Sequence, residues 1–304
     1  MADETRKLSF GSLVVETSSE DKVLYPEDGI TKGDVIEYYR KVAEYALPFG
    51  ADRFLTLQRF PDGLAEDGFY QQARGDYFPD YVGGQRSERV GGGEVEHIWI
   101  RNAAGLVYLA NQGTLTFHSW LSRRDRLRHP DRLVIDLDPP DHDFGPVRDG
   151  ARLTAEFLRD LGLTPYVMTT GSRGLHVVVP LDRSADFDTA RAFARRVADA
   201  LAERHPDELT AEQRKNKRKG RLYVDVMRNA YGQTAVMPYS LRAKPGAPVA
   251  TPLAWDELGS GDLDSRSWHI GNLFRRLGQV DDPWADMKRH AAGISKAADA
   301  LDRL

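Results

Sequence analysis

The 304-residue chain contains no cysteine. That absence excludes disulfides, thiolate zinc sites, iron–sulfur clusters and cysteine nucleophiles, and it fits a reducing compartment. Long apolar runs are missing too: HVVVPL and RLVIDL are strand-sized, and the opening MADETRKLSFGSLVVETSSEDKV lacks the apolar stretch of a signal peptide. A cytoplasmic protein with no membrane partner is expected. There is no excess of one charge, since 42 Lys and Arg face 46 Asp and Glu, which argues against a chain coated in positive charge. The eight histidines are scattered without metal-ligand clustering, so a histidine-based metal phosphoesterase is disfavoured. Neither GxGxxG nor a Gly-Lys-Thr opening a helix is present, which disfavours the nucleotide folds built on those loops. No repeat or low-complexity linker interrupts the chain.

The length allows two lobes or one large α/β domain around a sizeable core. Thr31 to Ala46 reads as a helix: Thr31 caps it, Asp34 sits in the first turn, Val35, Tyr39, Val42 and Ala46 recur at helical spacing, and Pro48 is expected to end it. Segments 53–59, 95–100, 114–119, 132–137, 164–169, 175–181 and 222–227 are short, rich in β-branched or aromatic residues, and bounded by turn residues, as strands are. Helical patterns fall at 147–161, 187–204, 267–277 and 283–303, giving an α/β (α+β) enzyme. The glycine-rich piece 83–93 is expected to be a mobile surface loop between strands. Arg214 to Arg221 carries six basic residues in eight, and Ser122 to Arg132 is a second basic stretch. A basic groove on an acidic body and a solvated loop are both compatible with such runs.

The most informative segment is RLVIDLDPP. Residues two apart on a strand point to the same face, so Asp136 and Asp138 project together at the strand's end while Leu137 points into the core. Two adjacent carboxylates repel, and a divalent cation between them relieves the repulsion; oxygen ligands select a hard ion such as magnesium or manganese. Asp225 is a third acid, alone in the apolar strand of RLYVDVMRN, where a salt bridge to Arg228 is the structural alternative. Three strand-borne acids from distant parts of the chain match the ligand set of a two-metal phosphoryl-transfer site.

Between the acids lies TTGSRGLHVVVPL. Its turn lets backbone N–H groups approach an anion, and Ser172, Arg173 and His176 add donors, although an ordinary hairpin would look the same. Arg228 and Arg242 each follow a strand-like segment, where a guanidinium can fork onto phosphate oxygens. His118 in TLTFHSW is a strand histidine, a type that is more often structural. Phe69, Tyr70, Tyr77, Phe78 and Tyr81 follow no clean period; exposed rings among them can stack on unpaired bases, and several belong to the core. Lys22 and Lys32 flank a Pro-Glu-Asp-Gly turn, where they can share one phosphate or face water.

In order along the chain, DKVLYPEDGITKGDVIEYY, RFPDG, FYQQ, FHSW, VIDLDPP, TTGSRGLHVVVPL, KRKGRLYVDVMRN and PYSLRAKPGAPVATPLAWDEL resemble the polymerase domain of bacterial ligase D, of the archaeo-eukaryotic primase superfamily that serves non-homologous end joining. The resemblance implies a primase-polymerase fold with a central mixed or antiparallel sheet flanked by helices and two lobes around a catalytic cleft. It implies one catalytic domain over 1–304, with lobes of about 1–120 and about 121–304, and no ligase or nuclease domain. Asp136, Asp138 and Asp225 are then the catalytic metal-binding acids, holding two Mg2+ or Mn2+ ions. Ser172, Arg173, His176, His118, Arg228 and Arg242 serve the incoming NTP or dNTP and the metal site. By the same resemblance Lys22 and Lys32 grip a 5′-phosphate, Phe69 and Tyr70 stack on the template, and the glycine-rich and basic stretches close on DNA. The implied function is template-directed nucleotide addition at a gap or double-strand break, in end joining or excision repair, with tolerance of ribonucleotides. Ku and a separate ATP-dependent DNA ligase are candidate partners of such a stand-alone, nucleoid-associated bacterial enzyme. Where the family usually has Phe-Phe-Gln-Lys, this chain has Phe69-Tyr70-Gln71-Gln72, so one positive charge is missing. A DNA-end binding or bridging module with weak or no polymerase activity is the alternative, and the three acids beside a polyanion speak against it.

Overall fold

The computed structural model describes residues 5–88, 91–141 and 143–304. The chain divides into two compact units, Met1–Trp120 with Val236–Ala250 and His269–Leu273, and Leu121–Ala235 with Thr251–Trp268 and Phe274–Leu304. Both mix helices with largely antiparallel sheet, an α/β fold. No helix among the described residues is long and apolar enough to cross a membrane.

The first unit begins with the hairpin β1 (Arg6–Phe10) and β2 (Leu13–Thr17) and the short pair β3 (Val23–Tyr25) and β4 (Ile30–Thr31). Helix α1 (Lys32–Gly50) starts in a capping box: Thr31 Oγ1 accepts from the Asp34 N–H and the Asp34 carboxylate accepts from the Thr31 N–H. The helix does not stop before Pro48 as expected but runs to Gly50. A proline removes one N–H and crowds the preceding turn; here it falls in the last turn, which buried Ala46 and Phe49 hold in place. Strands β5 (Leu55–Arg59), β6 (Phe69–Gln71), β7 (Val82–Glu88) and β8 (Glu94–Ile100), helix α2 (Ala103–Asn111) and strand β9 (Thr114–Trp120) follow, with β5 paired to both β6 and β9.

The glycine-rich piece is a strand rather than a loop over most of its length. β7 pairs with β8 from Val82–Ile100 to Glu88–Glu94, and Gly83 lies where a Cβ would overlap the Trp99 ring, so this glycine serves close packing. The turn is confined to the end of the piece, where Gly91, Gly92 and Gly93 have positive φ. Arg89 and Val90 lie outside the described residues.

The second unit is organised on a six-stranded sheet. Its strands are β10 (Arg132–Asp138), β11 (Tyr166–Thr169), β12 (Leu175–Pro180), β13 (Leu209–Thr210), β14 (Leu222–Asp225) and the pair Pro252–Leu253, in the order β13–β14–β10–β12–β11–(252–253). Helices α3 (Gly145–Asp160) and α4 (Phe187–Arg204) supply Val147, Phe157, Leu158, Phe193, Val197 and Leu201 to the core under this sheet. The two expected C-terminal helices are shorter than their patterns, spanning only Leu273–Leu277 and Ile294–Leu301, with a 3-10 turn over Met287–His290. Gly271, Pro283 and Gly293 interrupt the apolar periodicity and restrict the helices to the pieces between them.

Candidate active site

Strand alternation explains why acids stand on a sheet this apolar. Leu133, Ile135 and Leu137 of β10, Val177 and Val179 of β12, and Leu222 and Val224 of β14 all enter the helix-side core. Their neighbours in sequence therefore share the opposite face, and among them are Asp136, Asp138, His176 and Asp225. Register then brings them together. Asp136 sits directly across from Asp225 on one side and from His176 on the other, while Asp138 lies one pleat further along, across from Tyr223. Directly opposed residues on one face are the closest side-chain neighbours a sheet offers.

Asp136 and His176 are both buried, with His176 Nε2 3.5 Å from Asp136 Oδ2 and Arg228 Nε 3.9 Å from the same oxygen. Arg228 thus faces Asp136, and Asp225 instead accepts the Met227 N–H at 2.8 Å, at the start of the 3-10 turn that carries Arg228. Asn229 pins that turn to β10 by accepting from the Val134 N–H and donating to the Val134 carbonyl.

The electrostatics are those of crowded like charges. Burial, then the neighbouring Asp136 and Asp225 carboxylates, push the Asp138 carboxyl up to about 6 against the pull of Arg173 and Arg218. Burial likewise raises Asp225, opposed by the Met227 N–H, with Asp136 adding to the rise. Tyr223 is pushed up to about 12 by burial and by Asp225. Among the described residues no three His, Asp or Glu side chains close around one point as a finished cage. The donor set nevertheless suits a hard divalent cation: three carboxylates on one face, two of them held above their ordinary range by burial and, after it, by neighbouring carboxylates whose repulsion a cation would relieve.

One consequence is measurable with divalent ions chelated. A carboxyl raised in the folded state means that the native chain binds more protons than the unfolded chain between about pH 4 and 6, so this group's effect on stability worsens as pH rises through that window. Asp138→Asn is expected to stabilise the protein at pH 7 by about 1–2 kcal/mol after allowance for partial exposure, and to give no gain at pH 4. Urea midpoints of both proteins across this range measure it; a gain that does not depend on pH would refute the raised Asp138 carboxyl.

The turn before β12 is strongly braced. Thr170 Oγ1 donates to the Gly174 carbonyl and accepts from the N–H groups of Ser172 and Gly174. The Ser172 carbonyl accepts from Ser265 Oγ at 2.9 Å and Arg266 Nε at 3.0 Å. Ser172 and Arg173, with Asp141 and Arg266, line a cavity of about 270 Å³. In the basic run, Arg218 lies over the Tyr223 ring at 3.8 Å and donates to the Glu212 and Gln213 carbonyls. Sequence reasoning missed Thr170, Asn229, Ser265 and Arg266 and saw Arg218 only as one charge in a run. Ser265 and Arg266 lie over ninety residues from the turn they hold, and no local pattern marks them.

The remaining candidates lie in the first unit. The Lys32 N–H donates to the Lys22 carbonyl at 2.8 Å, so the two lysines are backbone neighbours. Lys22 Nζ pairs with Asp62 Oδ1 at 2.6 Å, and Lys32 Nζ donates to the Ser18 carbonyl at 2.7 Å. Phe69 and Tyr70 are 47% and 64% exposed on β6, whereas Phe78 is buried. The Arg59 guanidinium lies 5.2 Å from the Phe69 ring centroid and donates to Gln71 Oε1, and the Tyr70 and His118 ring centroids are 6.3 Å apart. Arg242 is held through its backbone: its N–H donates to the Pro248 carbonyl and its carbonyl accepts from the buried Tyr25 hydroxyl.

The chain is 32% identical over 287 residues to the multifunctional non-homologous end joining protein LigD of Pseudomonas aeruginosa, covering 93% of this chain and 34% of that protein. It is also 32% identical over 286 residues to the bifunctional LigD of Bacillus subtilis, covering 93% of this chain and 44% of that one. The chain thus spans less than half the length of these curated relatives. The polymerase domain of Mycobacterium tuberculosis ligase D, solved in complex with DNA, superposes with a TM-score of 0.85 at 31% identity, covering 91% of this chain and 99% of that one. The family described as "LigD, primase-polymerase domain" matches residues 31–284, and the chain belongs to that family.

Proposed function

We propose that this chain is a template-directed nucleotidyltransferase, a primase-polymerase that extends a primer 3′-hydroxyl at short gaps and broken DNA ends in bacterial repair. The observation that carries the reading is the row His176–Asp136–Asp225 across three strands, with Asp138 one pleat along. Asp136, Asp138 and Asp225 would hold two divalent ions, Mg2+ or Mn2+, which supply activation of the 3′-hydroxyl and neutralisation of the triphosphate in an in-line displacement. Ser172, Arg173 and His176 orient the incoming triphosphate with N–H and guanidinium donors, and Arg228 directs its positive charge into the acid cluster. His118 and Arg242 support the nucleotide, Phe69 and Tyr70 stack on template bases, and Lys22 and Lys32 take the 5′-phosphate at the far side of a gap. NTPs and dNTPs are the substrates and gapped or broken DNA is the partner. The family resemblance extends the reading to end joining, with Ku and a ligase as further partners.

The test is primer extension on a gapped duplex carrying a downstream 5′-phosphate, with Mg2+ or Mn2+ and either sugar type. Extension that follows the template base is expected. Addition that continues unchanged when the template strand is omitted, or no addition with either ion, would overturn the reading. Lys22→Ala with Lys32→Ala should erase the advantage of a 5′-phosphate while leaving extension of a 5′-hydroxyl gap intact, and should flatten the salt dependence of binding.

A further inference from the structure

The lysine proposed to grip a terminal phosphate is not waiting for it in open water. Lys22 Nζ lies 2.6 Å from Asp62 Oδ1. A fixed turn delivers Asp62 to that place. The Phe60 N–H donates to the Gly113 carbonyl at 2.7 Å, the Gly63 N–H to the Phe60 carbonyl at 3.1 Å, and the Leu64 N–H to the Leu24 carbonyl at 2.8 Å. Gly63, at φ +85°, approaches β3 so closely that a Cβ there would press on the Val23 carbonyl oxygen. The Pro61-Asp62-Gly63 turn is therefore docked by its backbone on the strand that begins one residue after Lys22, and the ion pair follows from that docking.

We propose that Asp62 is a built-in competitor for the 5′-phosphate: it neutralises Lys22 in the free protein and must be displaced when a terminal phosphate binds. A 5′-phosphate monoester carries about −1.5 to −2 charges at pH 7, against −1 for the carboxylate, so it wins the lysine. The exchange lowers affinity for phosphorylated ends and leaves 5′-hydroxyl ends unaffected, so it sets the 5′-phosphate preference below what the two lysines alone would give. This inference rests on the assignment of Lys22 and Lys32 to the 5′-phosphate.

Binding of a gapped duplex with a 5′-phosphate or a 5′-hydroxyl gives a discrimination ratio. Exposed ion pairs contribute up to about 1 kcal/mol, so Asp62→Asn is expected to raise that ratio about two- to fivefold at low salt. The gain should fade as salt screens the pair. Asp62→Ala should show the same gain, because the lost charge rather than a new amide–phosphate bond is responsible. In the Lys22→Ala background, Asp62→Asn should add nothing. A ratio that is unchanged or lower in both Asp62 variants, a gain confined to Asn, or a gain that survives without Lys22 overturns the proposal. Should Lys22→Ala alone keep the full ratio, the phosphate assignment fails and the competitor role falls with it; if Lys22→Ala loses the ratio but the Asp62 variants do not raise it, only the competitor role falls.

Discussion

Asp136→Ala is expected to lower nucleotide addition by about 10³-fold or more while leaving the fold and DNA binding in place. Asp136 is central in the row of opposed side chains, touches both His176 and Arg228, and adds to the charge crowding of Asp138 and Asp225. As a metal ligand in the proposed reaction it has no substitute, because the sheet holds no other acid opposite Asp225. Its effect on stability should be of a different kind. A buried acid kept for structure destabilises when removed; here the near-isosteric Asp136→Asn relieves two neighbouring carboxyls even as it weakens the contacts to His176 and Arg228, so the urea midpoint should stay within about 1 kcal/mol of the parent. Extension assays together with denaturation of both variants separate the two effects. An Asp136→Ala protein that still extends primers would remove the metal assignment.

Gly174→Ala is expected to cost about 3 kcal/mol of stability and most of the activity together. Gly174 closes the Thr170 turn and precedes Leu175, which pairs with Leu137 between the two acids of β10. A Cβ at this position would overlap the Leu137 carbonyl oxygen, and that atom is strand backbone rather than the yielding end of a side chain. Accommodating the methyl requires the turn with Ser172 and Arg173 to lift away from the strand carrying Asp136 and Asp138. Gly259→Ala, with open space around it and no positive φ, is the control and should stay within about 0.5 kcal/mol. Urea midpoints and primer extension measure both. A Gly174→Ala protein as stable and active as its parent would show that the close approach of turn to strand is not required.

Much of the second unit is legible in its amino-acid sequence. The strands at 132–138, 166–169, 175–180 and 222–225 and the helix over 187–204 fall within a few residues of their sequence patterns, because buried strands and amphipathic helices announce themselves by period. Legibility failed where composition and period disagreed. Glycines in 83–88 suggested a loop, yet they are spacers under Trp99 and beside Glu96, a demand visible only once β8 lies alongside. Pro48 suggested a stop, and tertiary packing of the last turn carried α1 past it. Helix α2 and the first hairpin gave no pattern strong enough to name.

The candidate site divides along the same line. That Asp136 and Asp138 point the same way follows from a two-residue spacing on any strand, and that Asp225 needed a reason follows from an acid among apolar neighbours; both are local facts written in the chain. That Asp225 and His176 flank Asp136 in register, that Arg228 turns toward Asp136, that Ser265 and Arg266 hold the Ser172 carbonyl, and that Asp62 engages Lys22 are facts of the folded molecule. Strand pairing and turn docking join residues forty to a hundred positions apart, and the free energy that selects those partners comes from the shared core and backbone hydrogen bonds, which leave no periodic trace along the chain.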